Sequence, residues 1–207
     1  MRHDDPQPWR KSRIIRHDLN HTGLFFCNLF DVTSDSRFAL NTDFYFLFFC
    51  SSAKSKRISL SRFDRDVLSV PGVKFVILPQ GTNDIEHPAA NDLPDQAVSP
   101  EQVISGLKQL IARAHAHHVK IFGDTLLPGE GAIAYTAEGK VKSKAVNEWI
   151  RTSKAFDGVI DFEAVVRDPD HPTRLRPEYD SGDHGHPNDV GYRAMADSID
   201  LKLFSSR

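Results

Sequence analysis

The sequence predicts an α/β protein with a parallel sheet, and three features support this. The chain has 207 residues, enough for one domain with a full hydrophobic core. Nearly continuous apolar runs at residues 73–78, 119–125 and 159–162 are typical of strands buried on both faces. Amphipathic stretches with helical spacing lie between these runs. Strands that alternate with helices imply βαβ crossovers, whose ligands sit at the carboxyl ends of the strands.

A short helix is predicted before the first of these strands. Leu60, Phe63, Val67 and Leu68 recur at helical spacing. The dipeptide Pro71-Gly72 ends this helix, because proline cannot donate a helical hydrogen bond and glycine favours a turn. The strand at residues 73–78 therefore starts directly after the turn.

The second helix is predicted from its start signals. The first strand ends at residues 80–84, with the sequence Gln-Gly-Thr-Asn-Asp, and we expect a polar loop containing proline to follow. Ser99 is then the N-cap, Pro100 the first helical residue and Gln102 the third, as in a capping box. The helix runs out near His118. Its apolar stripe consists of Val103, Leu107, Leu110, Ile111 and Ala114.

Two further helices complete the predicted pattern. Thr136 caps the third helix, and Gly158 marks its C-terminal stop. After the strand at 159–162, a long loop over residues 167–186 leads into the last helix. The expected apolar positions are Val141, Ala145, Trp149 and Ile150 in the third helix, and Met195, Ile199 and Leu203 in the last.

Residues 1–57 differ in character from residues 58–207. They hold two phenylalanine-rich runs, at 24–30 and 44–49, each of which can form a buried strand. Cys27 and Cys50 lie in apolar surroundings and are predicted to be buried thiols rather than a disulfide or metal site. We therefore predict two parts, an atypical N-terminal segment over residues 1–57 and an α/β domain over residues 58–207.

Charge and hydropathy exclude several classes of function. The net charge of −2 gives no electrostatic support for binding nucleic acid. The run at 44–49 is far shorter than the ~18 residues that span a bilayer. Residues 1–16 lack the apolar core of a signal peptide, so the chain as written is expected in the cytoplasm, while secretion of full-length relatives stays open.

The segment with the most chemical information is the loop that contains Asp183 and His186. An acid three residues before a histidine lets the carboxylate bind one imidazole nitrogen while the other faces outward. Such a histidine is held in one tautomer and can act as a general base. The alternative is a loop histidine that only caps the following helix.

These residues resemble the SGNH, or GDSL, hydrolase family of serine esterases and lipases. The resemblance implies a three-layer α/β/α sandwich with a flavodoxin-like parallel sheet. It further implies that Asn83 stabilises the oxyanion, that His186 is the general base and acid, and that Asp183 orients it. The alternative for Asn83 is a turn residue after a strand. The resemblance rests on residues 62–68, 81–85, 135–136, 147–151 and 182–200.

The family's Gly-Asp-Ser nucleophile block has no good counterpart, so the fold is expected to be incomplete at its N-terminus. The nearest candidate is Ser36 in Ser34-Asp35-Ser36, only 47 positions before Asn83 (83 − 36 = 47), and its alternative is a polar turn. Without an activated serine no acyl-enzyme can form. The resemblance therefore predicts a metal-independent and cofactor-free ester hydrolase lineage whose own activity is absent or very low. Its ligand would be a small ester, either an acylated carbohydrate or an aryl ester.

Two alternatives to this interpretation stay open. The first is a non-catalytic protein that binds esters in an inherited pocket. The second is a histidine-based metal hydrolase, for which His184 and His186 offer two ligands but no evident third.

Other candidate features favour structural roles. The cluster of His115, His117 and His118 is interpreted as a solvated helix end rather than a metal site. The Gly129-Glu130-Gly131 sequence is too short to cradle a phosphate and is predicted to be a turn. Asp161 could line a pocket, although a polar residue that ends a strand is the simpler interpretation.

Overall fold

A computed structural model describes residues 24–25, 48–49 and 59–204 of the chain. Strands β1 (Leu24–Phe25) and β2 (Phe48–Phe49) form an antiparallel pair. Each strand lies within one of the phenylalanine-rich runs. The predictions for Cys27, Cys50 and Ser36 fall outside the described residues, and the division of the chain at residue 57 stays a prediction.

The main sheet has three parallel strands, β3 (Phe75–Leu78), β4 (Lys120–Asp124) and β5 (Gly158–Ile160), in the order β3-β4-β5. All four β3 residues are buried, as expected of a strand covered on both faces. The parallel sheet predicted from the three apolar runs is thereby confirmed.

Helices cover both faces of this sheet and make three layers. One buried cluster joins Val76 and Ile121 of the sheet to α3 and α4, and a second joins Ile77 and Phe122 to α5 and α6. The α/β/α sandwich is thus confirmed. Within residues 59–204, no helix has the length and apolar character needed to cross a membrane. The helices are α1 (Ser59–Phe63), α2 (Thr82–Ala90), α3 (Pro100–Ala116), α4 (Ala137–Thr152), α5 (Phe162–Val166) and α6 (Asp189–Asp197).

The capping predictions for α3 and α4 are confirmed. Ser99 Oγ accepts from the Gln102 backbone N–H, and Gln102 Oε1 accepts from the Ser99 N–H, which completes the capping box. Thr136 Oγ1 accepts from the Gly139 N–H at 2.9 Å. These contacts satisfy amide groups that have no partner inside the helix.

The predicted apolar face of α4 is confirmed at Ile150, which is buried, and at Trp149, which packs against the core, but it is wrong at Val141 and Ala145. Val141 is 68% exposed and Ala145 is also exposed, whereas Val146, Asn147 and Ile150 are buried. The polar Asn147 occupies a core position because it binds the backbone of the segment after β4, and this shifts the buried face. The helix also ends at Thr152 rather than near Gly158, which begins β5.

One helix and two helix ends differ from the sequence prediction. Helix α2 replaces the polar loop expected after β3, because Gly81 turns the chain in a left-handed conformation (φ 119°), and Ile85 and Pro88 pack inward. Helix α1 continues into a π-helical turn, Asp64–Leu68. Ile199 lies just beyond α6, and Leu203 belongs to a separate 3₁₀ turn.

Candidate functional site

Asp183 and His186 form a hydrogen-bonded pair on the loop between α5 and α6. His186 Nδ1 lies 2.7 Å from Asp183 Oδ2, and the other carboxylate oxygen accepts the backbone N–H of His186 at 2.8 Å. The Gly185 N–H and Ser181 Oγ donate to the same oxygen, at 2.9 and 3.0 Å. One carboxylate therefore fixes both the ring and the backbone of the histidine.

The pair is exposed to solvent, and its carboxylate is ionised. The His186 side chain is 73% exposed, so its other ring nitrogen is open to a ligand. Partial desolvation acts to raise the pKa of Asp183, but the N–H groups of Gly185 and His186, the His186 ring and the Ser181 hydroxyl together hold it well below its usual range. Asp183 thus stays ionised, as the partner of a general base must.

A second aspartate–histidine pair lies in the same loop, and the sequence analysis missed it. His184 Nδ1 is 2.5 Å from Asp180 Oδ2, and Asp180 Oδ1 accepts the N–H groups of Gly182 and His184. Desolvation opposes these contacts, yet they hold the pKa of Asp180 below its usual value. Two interleaved pairs with spacings of four and three residues give the loop its shape.

Asn188 joins this loop to α6. Its side-chain amide donates to the carbonyls of Glu178 and Asp180, and its Oδ1 accepts the N–H groups of Val190 and Gly191. It is therefore both a loop brace and the N-cap of α6.

Asn83 lies in the first turn of α2, directly beyond the carboxyl end of β3. Glu86 follows one turn later on the same helix. Burial raises the pKa of Glu86, and the charge of His186 acts against this rise. Helix α2 and the histidine loop therefore lie at the same edge of the sheet. The convergence of Asn83 and His186 on one substrate stays a prediction, which this relation supports.

The Gly129-Glu130-Gly131 turn connects these parts. Glu130 accepts from Thr173 Oγ1 and, at 2.9 Å, from Arg174 Nε. A Cβ added to Gly131 (φ 108°) would stand 3.0 Å from the His184 ring, so that ring lies directly over the glycine. The predicted turn is thus confirmed, and its contact with His184 is a positioning feature that the sequence did not reveal.

A cavity of about 350 Å³ lies beside this turn, between α4 and the segments after β4 and α5. Glu86 of α2, Gly129 of the turn and Arg167 of the segment after α5 line it. Tyr135 and Thr136 precede α4 and also line it. Cavities that bind small molecules usually measure about 300–1,000 Å³.

A hydrogen-bond network fixes one wall of the cavity. The buried Asn147 accepts the Leu126 N–H at 2.7 Å and donates to the Leu126 carbonyl at 2.9 Å and to Glu163 at 3.2 Å. Arg151 donates to both oxygens of Asp161, at 2.9 and 2.7 Å, and to Glu163. Asp161 is therefore an ion-paired N-cap of α5 rather than a residue that lines the cavity.

Asp124 ends the central strand as a buried carboxyl group. It is 5% exposed, and its Oδ1 has no hydrogen-bond partner among the described residues. Burial raises the pKa of Asp124 to about 8. This group therefore keeps its proton in the folded protein at neutral pH.

The metal hypotheses gain no support from the described residues. His115 Nε2 lies 2.9 Å from Asp157, whose carboxylate also accepts the Ile121 N–H near the amino end of β4, remote from the histidine loop. Residues 59–204 contain no cluster of three or more histidine, cysteine, aspartate or glutamate side chains suited to a metal ion. His184 binds Asp180 instead.

The structure does not place a nucleophile beside His186. Ser36 lies outside the described residues. Within residues 59–204, the His186 ring is bonded to Asp183 and to no serine. The described residues therefore show the Asp183–His186 hydrogen bond, and the catalytic roles of the two side chains stay a prediction.

Comparison with known proteins identifies relatives of this arrangement. A family model described as "GDSL-like Lipase/Acylhydrolase family" matches residues 31–194, a range that includes Ser36. None of the curated proteins matches the chain.

Three solved structures share its fold. A GDSL-like lipase from Bacteroides thetaiotaomicron is 19% identical, with a TM-score of 0.55 over 70% of this chain and 68% of that one. A catalytic mutant of an acetylxylan esterase from Geobacillus stearothermophilus is 18% identical, with a TM-score of 0.52 over 72% and 67%. An alpha/beta hydrolase from the metagenome of Lake Arreo, Spain, is 21% identical, with a TM-score of 0.51 over 70% and 65%.

Proposed function

The chain belongs to the GDSL-like lipase/acylhydrolase family, and we propose that its site binds small carboxylic esters. The ester is either an acylated carbohydrate or an aryl ester. The chain hydrolyses it very slowly or not at all. The observation that carries this proposal is the Asp183–His186 pair, 2.7 Å apart on an exposed loop. A solved relative described as an acetylxylan esterase supports the carbohydrate ester. The net charge of −2 argues against nucleic acid as a partner.

The proposed roles follow from this geometry. His186 would take the proton of an attacking serine hydroxyl on its outer nitrogen, while Asp183 stabilises the resulting imidazolium. The serine oxygen would bond to the ester carbonyl carbon, and the Asn83 amide would donate to the oxyanion. The alcohol would then leave with the proton from His186, and water would release the acid by the same route.

We propose slow turnover because, within residues 59–204, no serine hydroxyl is hydrogen-bonded to the His186 ring. A base without a nucleophile cannot form an acyl-enzyme, so the first step of this sequence stalls. Ser36 is the one weak candidate for the nucleophile that the sequence offers, and it lies within the range of the family match. Its role is part of the proposal and is tested directly below.

The test measures hydrolysis and covalent labelling together. The purified chain is incubated with a chromogenic acetate ester and with a fluorophosphonate probe, beside His186→Ala, Ser36→Ala and the control His117→Ala, which alters the exposed C-cap of α3. We expect ester cleavage near background in all four proteins. Hydrolysis that His186→Ala abolishes, with the label on Ser36, would show instead a working serine esterase.

The cavity favours a second candidate, a non-catalytic ester-binding protein. Its volume of about 350 Å³ is sufficient for a small ester, and its wall is ordered by the Asn147 and Arg151 contacts. This candidate predicts saturable ester binding without turnover. Turnover that depends on His186 would exclude it.

A further inference from the structure

We propose that the cavity beside α4 is a subsite for the alcohol part of the ester, and that this alcohol is rich in hydroxyl groups, such as a sugar, rather than a long alkyl chain. This inference rests on the proposed ester site and adds its specificity. The cavity lies next to the histidine loop, because Gly129 lines it beside Glu86 and Gly131, two residues further on, lies against the His184 ring, where an added Cβ would stand 3.0 Å away. A ligand whose ester carbonyl lies beside His186 can therefore extend into the cavity.

One face of α4 provides hydrogen-bonding groups to the cavity. Lys140, Ser143 and Lys144 all line it, at positions three and four residues apart. Lys142 does not line it and instead binds Glu138 at 2.7 Å, with its own side chain 16% exposed. The helix therefore brings one hydroxyl-bearing and two ammonium-bearing side chains to the lining of the cavity.

The opposite side continues this polar lining. Arg167 faces the cavity from the segment after α5. Among the described residues, neither Lys144 nor Arg167 has a carboxylate within 4.0 Å, so their N–H groups remain available to a ligand. Glu86 and Glu148 also line the cavity and provide acceptors. Hydroxyl groups both donate and accept, and so they match this mixed set.

The floor of the cavity is apolar. Leu126, Leu127 and Pro128 form it, and Tyr135 adds an aromatic ring at the start of α4. A sugar presents C–H faces as well as hydroxyl groups and can contact both surfaces. A long alkyl chain would instead remove water from the lysines without replacing their hydrogen bonds, which is unfavourable.

The wall does not need to rearrange for binding. Arg151, Asp161 and Glu163 are already joined by hydrogen bonds, and Asn147 holds Leu126 through both its N–H and its carbonyl. The unpaired polar groups therefore stand on a fixed frame. Such preorganisation lowers the cost of ordering side chains when a ligand binds.

Ligand-observed NMR tests the proposal without requiring hydrolysis. The probes are a monoacetylated methyl glucoside, the same glucoside without its acetyl group, phenyl acetate and octyl acetate. The variants are Lys144→Met and Arg167→Met, and Lys142→Met is the matched control on the same helix. We expect the acetylated glucoside to bind at least about tenfold more tightly than octyl acetate, and both cavity variants, but not the control, to weaken it several-fold.

Each result decides for or against the subsite. Octyl or phenyl acetate that binds as tightly as the acetylated glucoside, or equal effects of Lys142→Met and Lys144→Met, would overturn it. Failure of every probe would do the same. Glucoside binding that needs Lys144 but is indifferent to the acetyl group would support the subsite while rejecting the ester function, so the two proposals fail separately.

Discussion

Asp183 holds His186 at two points, since one carboxylate oxygen binds the ring nitrogen at 2.7 Å and the other binds the backbone N–H at 2.8 Å. The ring orientation and the loop backbone are therefore set by the same side chain. Four predictions follow, one from this contact and three from other features of the structure.

Asp183→Asn should release the imidazole from its single tautomer. An amide can offer an N–H where the carboxylate only accepts, so the His186 Nδ1–H loses its partner or the side chain turns. Ring ¹⁵N NMR of the variant should show a mixture of tautomers for His186, whereas the native chain shows mainly the Nε2 lone-pair form. Any esterase rate above background should fall by about 10³–10⁴.

The pH dependence of this contact provides a control for the first prediction. The lowered pKa of Asp183 means that its stabilising effect is present above the pKa of the unfolded chain and is lost only as the pH falls through the lower folded value. In the native chain the loop signals should persist into acid. A native loop that loses order near pH ~4, together with an unchanged tautomer in Asp183→Asn, would contradict the assigned contact.

Gly131→Ala should displace the His184 ring, and Gly182→Ala is its matched control. Both glycines have positive φ, 108° and 99°, so both substitutions add backbone strain of about 1–2 kcal/mol. Only the added Cβ at Gly131 meets a side chain, the His184 ring at 3.0 Å, and at Gly182 nothing lies within 4 Å. The His184 and His186 ring resonances should shift in Gly131→Ala alone. Equal shifts in both variants would mean that backbone strain, rather than a contact with the His184 ring, causes them.

Asn147→Ala should destabilise the protein by about 2–4 kcal/mol. The substitution leaves the N–H and carbonyl of Leu126 without partners in a buried position. Urea unfolding measures the loss. Asn91→Ala is the control, because Asn91 only donates to the His87 carbonyl at the exposed end of α2 and should cost less than about 1 kcal/mol. Similar losses for the two variants would mean that the buried network contributes little.

Asp124 should make stability fall as the pH rises above ~4. Its pKa is raised from 3.8 to about 8 in the folded protein, so the unfolded chain releases this proton first and binds fewer protons between these values. The free energy of unfolding should therefore decrease by up to about 1.4 kcal/mol per pH unit in this range and level off above pH ~8.

Urea unfolding from about pH 5 to about pH 9 checks this slope. Asp124→Asn carries no titrating proton and should lack the Asp124 component. The difference in unfolding free energy between the two proteins then isolates it from all other groups. Parallel curves for the native chain and the variant would show that Asp124 is ionised in the folded state.

Sequence patterns predicted the elements whose signals are local. The partners of the Ser99–Gln102 capping box and of the Asp183–His186 pair are only three positions apart, so both contacts could be predicted from local spacing, while the roles of Asp183 and His186 came from the family resemblance. The Asp180–His184 pair has an equally local signal, a spacing of four residues, but the prediction considered only the Asp-x-x-His spacing.

Contacts between distant segments could not be predicted in this way. Glu130 meets Arg174 across 44 positions, and Asn147 meets Leu126 across 21. The buried side of α4 depends on the second of these contacts, which is why a hydropathy stripe placed Val141 and Ala145 inward although both are exposed. Helix α2 was missed because Pro88 suggested a loop, although the packing of Ile85 and Pro88 stabilises the helix.

The loop from Asp180 to Asn188 makes most of its hydrogen bonds within itself. Asp183 and His186 are arranged by contacts between neighbouring residues rather than by the distant strand that would supply an attacking serine hydroxyl. A protein can therefore lose the serine hydroxyl by mutation and still keep His186 hydrogen-bonded to Asp183. A loop of this kind is a suitable starting point for installing a nucleophile, because its aspartate–histidine contact forms without help from distant segments.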